Sequence, residues 1–221
     1  MNIKGAIFDM DGTLVDTISS IAYFANRALN MYGLPSIEEN HYKLMVGNGA
    51  RLLCERMIEK AGGNSEQLEK VFKEYNESYD NDFLYLTKAY DGTVEMLRAL
   101  KEMGVKTAIL SNKPDVTAKK VSAALFESGL VDVCYGAREG IALKPDPAGV
   151  FEILREFEAE KDEVLYIGDT ATDIKTAKNA GLTSIGVLWG FRDRNELSGA
   201  GADFIIEHPS EIIDISKNFN K

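Results

Sequence analysis

Short runs of β-branched and other apolar residues alternate along the chain with longer segments in which apolar residues recur at helical spacing. Six of the short runs predict β-strands: Gly5–Phe8, Val105–Leu110, Val131–Tyr135, Val164–Gly168, Thr183–Leu188 and Asp203–Ile206. Such alternation is typical of βαβ units, whose strands pair in parallel. The first run has no polar residue, as expected of a strand that a parallel sheet buries on both faces. The pattern therefore predicts an α/β fold with a doubly wound parallel sheet.

The segment between the first two predicted strands carries helical periodicity and no strand signal. Its apolar residues fall on three helical faces, and breaks at 33–36 and 62–64 separate the helices. The faces are Ile18, Ile21, Ala25, Ala28 and Leu29; Leu53, Cys54, Met57 and Ile58; and Leu68, Val71, Phe72 and Tyr75. We predict that residues 16–82 form a small all-helical cap, inserted after the first strand of a Rossmann-like core that comprises residues 1–15 and 83–221. An insert at this place lies above the crevice in which open α/β sheets bind ligands.

Local signals also predict helices of the core. Thr170 is a favoured residue before a helix and Gly181 a favoured residue after one, so we expect a helix between them. Phe151, Leu154 and Phe157 recur at helical spacing, and we expect all three to pack in the core.

Composition narrows the class of protein. The 221 residues are 45% hydrophobic and 27% charged, which is the balance of a globular chain with one large domain, or one domain and a small appendage. The net charge of −10 argues against binding the nucleic-acid backbone and favours a divalent cation as a helper. Cys54 and Cys134 form no CxxC pattern, and we expect both to be reduced and buried. No apolar run is long enough to span a bilayer, so we expect a cytoplasmic monomer or homodimer with no membrane or nucleic-acid partner.

The first predicted strand leads directly into a pair of carboxylates. Asp9 and Asp11 are two residues apart, so strand periodicity points both into the same crevice, and Gly12 allows a tight turn. Two such carboxylates can divide the work: one stays ionised beside a cation and acts as a nucleophile, and its neighbour carries a proton. An exposed turn is the alternative, because Asp-Gly is a common turn dipeptide.

Further polar residues follow other strands of the predicted sheet. Ser111 and Asn112 follow the second strand. Asp169 and Asp173 follow the fourth strand, and Lys144 lies in the loop between these two positions. Each could separately be a helix cap, a turn residue or a solvated charge. Together with the Asp pair they supply donors for phosphoryl oxygens, a cation and oxygen ligands for Mg²⁺, so their joint placement favours a phosphoryl-transfer site.

These four motifs, in this order and over essentially the whole chain, resemble those of the haloacid dehalogenase superfamily of aspartate-nucleophile phosphatases. The resemblance implies that Asp9 is the nucleophile, Asp11 the general acid and base, and Ser111 and Lys144 the partners of the phosphate. It implies further phosphate contacts at Gly12, Thr13 and Asn112. It also implies a Mg²⁺ site built from Asp9, Asp11, Asp169 and Asp173, to which Asp11 contributes its main-chain carbonyl. Dehalogenases of the superfamily lack the second aspartate, so Asp11 argues against that reaction.

Two more segments resemble the phosphoglycolate phosphatases within that superfamily. They are Val46–Ala50, with the letters VGNGA, and Leu188–Phe191, with the letters LWGF; Ser111–Lys113 also fits this subgroup. The resemblance implies substrate-binding roles for Asn48, Gly49, Arg51 and Lys113, in which Arg51 or Lys113 meets a second negative group of the substrate. A plain interhelical turn and solvated charges are the alternatives.

The activity implied by the resemblance is Mg²⁺-dependent hydrolysis of a small phosphorylated metabolite, with 2-phosphoglycolate as the expected substrate and an aspartyl phosphate as the intermediate. A sugar phosphomutase, a pyrophosphatase or a nucleotidase would use the same catalytic residues. A non-catalytic anion-binding protein is the alternative from another class.

Overall fold

A computed structural model gives the fold for residues 3–219. The strands are β1 (Gly5–Phe8), β2 (Val15–Asp16), β3 (Lys88–Ala89), β4 (Lys106–Pro114), β5 (Val133–Ala137), β6 (Val164–Gly168), β7 (Thr183–Val187) and β8 (Phe204–Ile206). The α-helices are α1 (Ile18–Met31), α2 (Glu39–Met45), α3 (Ala50–Lys60), α4 (Leu68–Asn81), α5 (Thr93–Glu102), α6 (Asp115–Leu125), α7 (Ala148–Phe157), α8 (Ala171–Ala180), α9 (Arg194–Ala200) and α10 (Glu211–Phe219). Short 3-10 helices lie at Ser65–Gln67 and Lys161–Glu163.

The core of the molecule is a parallel sheet. Within residues 3–219 this sheet has six strands in the order β5-β4-β1-β6-β7-β8, which confirms the predicted doubly wound α/β fold. The chain winds outward on both sides of β1, and open α/β sheets bind ligands where the winding direction reverses. An antiparallel ribbon of β2 and β3 was not predicted, because each strand has only two residues. This ribbon pairs the chain segment that enters α1–α4 with the one that leaves them.

Strand β4 extends further than the apolar pattern predicts. The predicted strand ended at Leu110, where polar residues replace the apolar run, whereas the observed strand continues to Pro114. Its pairing with β5 shifts register between Leu110 and Pro114. Beyond the shift, Pro114 pairs with Ala137 through backbone that does not depend on an apolar side-chain pattern, so the apolar pattern does not report this extension.

Both faces of the sheet are buried, as the apolar character of β1 predicts. Phe8 packs in one apolar cluster with Leu97 and Ile109, and Ile7 packs in another with Ile153 and Tyr166. Neighbouring residues of a strand point to opposite faces, so one strand serves both clusters.

One predicted core residue is an exception. Leu154 and Phe157 are buried on α7, but Phe151 is 37% exposed. Each step of three residues falls about 60° short of a full helical turn, so Phe151 drifts off the face that Phe157 occupies. The prediction of a core position for Phe151 was wrong.

Helices α1–α4 enclose a separate apolar cluster above the carboxyl edge of the sheet. The predicted faces lie inside it: Ile18, Ile21, Ala25, Ala28, Leu29, Leu53, Cys54, Met57, Ile58 and Val71 are buried, while Leu68, Phe72 and Tyr75 pack against or within the same cluster. Phe191 joins the cluster from the core side. The helical insert therefore rests on the core through apolar contact; its boundaries at 16 and 82 stay a prediction.

Composition predicts that both cysteines are reduced and buried and that no segment spans a membrane. Both cysteines are free thiols; Cys54 is buried, whereas Cys134 is only partly buried. Among residues 3–219, no helix combines the length and apolar content needed to cross a bilayer.

Candidate active site

The order of the strands brings the predicted site residues together. Strand β1 lies between β4 and β6, and all three are parallel. Their carboxyl ends therefore meet at one edge of the sheet, where Asp9 follows β1 and Asp169 follows β6. Ser111 lies inside the extended part of β4 at the same edge.

Three carboxylates form a buried cluster at this edge. One carboxylate oxygen from each of Asp9, Asp169 and Asp173 lies within 4.8 Å of the other two. Asp9 is 4% exposed, and Asp169 and Asp173 are fully buried. Burial of three like charges is unfavourable without cations nearby, so the fold places specific partners around them.

Each of the two deeper carboxylates has its own hydrogen-bond donors. Thr13 donates its hydroxyl to Asp169 Oδ1 at 3.0 Å, and the backbone N–H of Phe191 donates to Asp169 Oδ2 at 2.8 Å. Thr170 donates both its N–H and its hydroxyl to Asp173 Oδ2, at 3.1 and 2.7 Å. Thr170 is also the N-cap of α8, so one capping arrangement starts the helix and orients a site carboxylate.

Two glycines make room for Asp169. Gly12 has φ +87°, and a Cβ there would lie 2.3 Å from Asp169 Oδ2. At Gly190 a Cβ would lie 2.3 Å from the carbonyl oxygen of Gly12. Gly12 therefore serves the site by its conformation and by its lack of a side chain, and its predicted contact with phosphate stays a prediction.

Lys144 is the cation of the cluster. Its ammonium lies 2.9 Å from Asp9 Oδ1 and 2.8 Å from Asp173 Oδ1. Burial works against its charge, but the attraction of Asp173 and Asp9 outweighs this effect and raises the pKa of Lys144 well above its ordinary value. Lys144 therefore stays protonated and bridges the carboxylates of Asp9 and Asp173.

One ammonium does not neutralise three carboxylates. Burial, opposed by Lys144 and reinforced by Asp173, raises the pKa of Asp9 to about 7. Burial and the charges of Asp173 and Asp9 raise the pKa of Asp169 well above its ordinary value. The cluster thus has an excess of negative charge that a bound cation would offset.

The donor set fits a small divalent cation. Mg²⁺ binds oxygen ligands at about 2.0–2.1 Å, typically through one or two carboxylates and several waters. The close carboxylate oxygens of Asp9, Asp169 and Asp173 provide such ligands. Of the four predicted metal residues, Asp11 was expected to contribute its main-chain carbonyl, which stays a prediction; its carboxylate faces Lys113.

We expect Mg²⁺ to raise the unfolding midpoint of the protein more at about pH 8 than at about pH 6. With a folded pKa of about 7, Asp9 is mostly ionised at the higher pH and mostly protonated at the lower one. The ionised form costs the metal-free fold stability above that pKa and is the form that binds a cation. Calorimetric titration in two buffers of different ionisation enthalpy should show proton release that grows as the pH falls towards 6.

Asp169→Asn should diminish this Mg²⁺ effect, whereas Asp162→Asn, a change at an exposed carboxylate in the 3-10 helix before β6, should leave it intact. A Mg²⁺ shift that is the same at both pH values and in both variants would contradict the assignment.

Asp11 forms a second charged unit, on the cavity side of the cluster. Its carboxylate lies 3.2 Å from the ammonium of Lys113, which is also 2.9 Å from the hydroxyl of Tyr79. Burial opposes the Lys113 charge, but Asp11 and Tyr79 outweigh it and raise the pKa of Lys113 above its ordinary value. Tyr79 belongs to α4, so the helical insert contacts the Asp11 pair directly. Tyr79 was not predicted as a site residue, because its only signal in the sequence, helical spacing from Tyr75, is equally typical of a core residue.

Several other predicted substrate residues have structural partners instead. Asn112 donates to the carbonyl oxygens of Gly47 and Lys144, both at 3.0 Å, and accepts from the Lys144 N–H at 2.8 Å. Its side chain therefore positions the Lys144 loop and is not free for phosphate. The hydroxyl of Thr13 likewise donates its hydrogen bond to Asp169, as described above.

Asn48 and Arg51 also lie away from the predicted substrate contacts. Asn48 donates to Thr172 at 3.1 Å, which ties the insert to α8. Arg51 is exposed and pairs with Glu69 and Glu55. The first turn of α3 directs Arg51 to solvent, where acidic neighbours neutralise it, so the expectation that it meets the substrate is not supported.

A cavity of about 510 Å³ opens between the sheet edge and the insert. Asp9, Asp11 and Ser111 line it from the core, and Gly47 and Gly49 line it from the loop before α3. Gly49 is thus the one residue of the predicted Asn48–Gly49–Arg51 group that reaches the cavity. The nucleophile candidate, the acid candidate and a hydroxyl therefore face one cavity.

Comparisons with known proteins agree with this arrangement. The family model described as haloacid dehalogenase-like hydrolase matches residues 6–187. A protein named phosphoglycolate phosphatase from Aquifex aeolicus is 32% identical, over 96% of this chain and 96% of its own. A protein named N-acetylmuramic acid 6-phosphate phosphatase from Pseudomonas aeruginosa is 30% identical, over 97% and 95%. A crystal structure of a candidate phosphoglycolate phosphatase from Lactobacillus delbrueckii superposes with a TM-score of 0.93 at 27% identity, covering 98% of this chain and 99% of that one.

Proposed function

Because the chain belongs to the haloacid dehalogenase-like hydrolases, we propose that it is a Mg²⁺-dependent phosphatase that hydrolyses phosphate monoesters through an aspartyl phosphate on Asp9. The observation that carries this proposal is the contact of the Asp9 carboxylate with Lys144, at 2.9 Å, at the floor of a cavity that Asp11 and Ser111 also line. A nucleophile, a proton carrier and a phosphoryl ligand then face the same substrate.

In the first step, a carboxylate oxygen of Asp9 forms a bond to phosphorus and the bond from phosphorus to the ester oxygen breaks. Asp11 enters this step protonated and gives its proton to the leaving alkoxide, so the alcohol departs neutral; the ionised carboxylate that results pairs with Lys113. In the second step, Asp11 takes a proton from water, the water oxygen bonds to the same phosphorus, and the bond to Asp9 breaks to release phosphate. Two easier displacements thus replace one difficult step.

The other residues bind the phosphoryl group and offset its negative charge. In this proposal Lys144 and the hydroxyl of Ser111 bind phosphoryl oxygens, and the insert shields the reaction from bulk water. Mg²⁺, held by Asp9, Asp169 and Asp173, would offset the repulsion between the anionic ester and the carboxylates. Lys113 keeps Asp11 close to the cavity through its ion pair.

The first test is phosphate release from a panel of esters with and without Mg²⁺. The panel contains 2-phosphoglycolate, which the names of the relatives put forward, together with pyrophosphate, a nucleoside monophosphate and a hexose 1-phosphate. We expect Mg²⁺-dependent release from at least one of the monoesters. Isomerisation of the hexose phosphate without release would favour a phosphomutase, and binding without any turnover would favour an anion-binding protein.

A further inference from the structure

The cavity above Asp9 is large for an ester of two carbons. Its volume of about 510 Å³ lies within the range of about 300–1,000 Å³ that encloses drug-sized ligands. Once a phosphoryl group is placed at Asp9, a two-carbon alcohol leaves most of the cavity unfilled. Unfilled volume contributes no contacts to the transition state, so the cavity suits a larger alcohol.

The cavity offers no free cation to a second anionic group. Among the described residues that line it, Lys113 is the one with a cationic side chain. Its side chain is only 6% exposed, and its ammonium is already bound by Asp11 and Tyr79. Farther along the wall the charged residues are Glu77 and Asp80, both anionic; Asp80 is paired with Lys120 at 2.7 Å, and Glu77 lies 3.8 Å from Lys73. A carboxylate on the substrate would therefore meet carboxylates whose lysine partners lie outside the wall and are already engaged, which costs binding energy.

The rest of the wall combines apolar surface with neutral hydrogen-bonding groups. Ile21, Val46, Leu53 and Tyr75 face the cavity from the insert, and Val116 from the core. Val116 is 63% exposed, so an apolar side chain lies open at the rim. Asn76 and Thr117 add an amide and a hydroxyl. Carboxylate, amide and hydroxyl oxygens can accept hydrogen bonds from substrate hydroxyls, while the apolar side chains contact carbon-bound hydrogens.

We propose that the preferred substrate is a phosphate monoester whose alcohol is uncharged, bears hydroxyl groups and has the size of a sugar, and that esters with a second anionic group are disfavoured. This substrate class rests on the proposed phosphatase activity and narrows it. The volume of the cavity and the chemistry of its wall, which the insert and the start of α6 provide, determine this preference among substrates.

A matched pair of esters tests the charge rule. Sorbitol 6-phosphate and 6-phosphogluconate share one carbon chain and differ at the far end, where the second carries a carboxylate in place of a hydroxymethyl group. We expect kcat/KM to be at least about tenfold higher for sorbitol 6-phosphate, a ratio within the usual discrimination of a single site contact. It should also exceed the value for 2-phosphoglycolate.

Two variants of the wall connect the selection to this cavity. Glu77→Lys adds a cation at an exposed position and should reduce the ratio between the pair severalfold in favour of 6-phosphogluconate, whereas Glu59→Lys makes the same charge change on α3 away from the cavity and should leave the ratio unchanged. Ala50→Phe fills part of the cavity and should lower kcat/KM for sorbitol 6-phosphate more than for 2-phosphoglycolate.

The outcomes separate the substrate class from the chemistry. Release that depends on Asp9 but is equal or faster for 6-phosphogluconate or 2-phosphoglycolate overturns the substrate class and leaves the phosphatase activity in place. Equal effects of Glu77→Lys and Glu59→Lys also overturn it. Absence of Asp9-dependent release from every ester overturns the proposed function, and the substrate class falls with it.

Discussion

Asp9→Asn is expected to lower kcat by at least about 10³-fold on any ester that the wild-type protein hydrolyses. An asparagine amide has nearly the size of the carboxylate but is a poor nucleophile, so no aspartyl phosphate forms, and loss of a covalent nucleophile typically removes most of the catalysis. Release of phosphate, measured with Mg²⁺ saturating, gives the rate. Asp162→Asn, at an exposed position, serves as the matched control and should retain full activity.

The stability of the same variant tells loss of chemistry from loss of fold. Because the pKa of Asp9 is raised from its ordinary value of 3.8 to about 7, its ionised form destabilises the metal-free fold fully above about pH 7; this cost shrinks as the pH falls and vanishes only below about pH 4, the range in which the unfolded chain is also protonated. Removing the charge should leave the unfolding temperature at about pH 8 unchanged or higher, with a smaller gain at about pH 6. Lys144 keeps its contact with Asp173 at 2.8 Å. An inactive variant that is also unfolded would not support the assignment, and a folded variant with normal turnover would refute it.

Lys144→Met is expected to lower the free energy of unfolding by about 3 kcal/mol, the lower end of the usual cost of removing one partner of a buried ion pair. The substitution leaves Asp9 and Asp173 buried without their shared cation, although the methionine fills a similar volume. Urea unfolding at about pH 8 without Mg²⁺ measures the loss. For a chain of this size, the midpoint temperature of thermal unfolding should fall by about 6–12 °C.

The loss has two further signatures. The loss of unfolding free energy should be smaller at about pH 6, because protonation of Asp9 there removes one of the two carboxylate charges that repel each other. Added Mg²⁺ should restore part of the lost stability. The control is Lys120→Met, which removes an exposed partner of Asp80 and should cost no more than about 1 kcal/mol. Equal losses in the two variants would show that burial of the Lys144 pairs contributes nothing beyond a surface ion pair.

The sequence by itself determined the fold class and which polar residues lie near the carboxyl edge of the sheet. Alternation of apolar runs and helical periods predicted the parallel sheet, and the apolar character of Gly5–Phe8, from which burial on both faces was predicted, is a local property of that strand. Polar residues that come directly after buried strands lie at the carboxyl edge of the sheet, which is why the sequence predicted that Asp9, Ser111 and Asp169 meet there, with Lys144 from a loop and Asp173 from the following helix. Their catalytic roles stay predictions. Thr170 and Gly181 were recognised as helix ends, because capping depends on residues close in sequence.

The tertiary structure decided which of these residues have free groups and what surrounds them. Asn112 was expected to hold phosphate, but its amide is satisfied by the backbone of Gly47 and Lys144, and those atoms lie far away in sequence. Arg51 was expected near the substrate, but the orientation of α3 pairs it with Glu69 in solvent. Tyr79 was missed, because only the packing of α4 over the sheet brings its hydroxyl to Lys113.

One physical reason separates what the sequence predicts from what only the tertiary structure decides. Strands, helices and their caps depend on side-chain pattern and on hydrogen bonds between near neighbours, which a single sequence displays. Burial, pKa and the charge of a cavity wall depend on atoms that meet through space. The sequence therefore specified a carboxylate cluster at one sheet edge, whereas only the packing of the helical insert on the core specified how strongly that cluster is desolvated and that its cavity is wide, largely apolar and without a free cation.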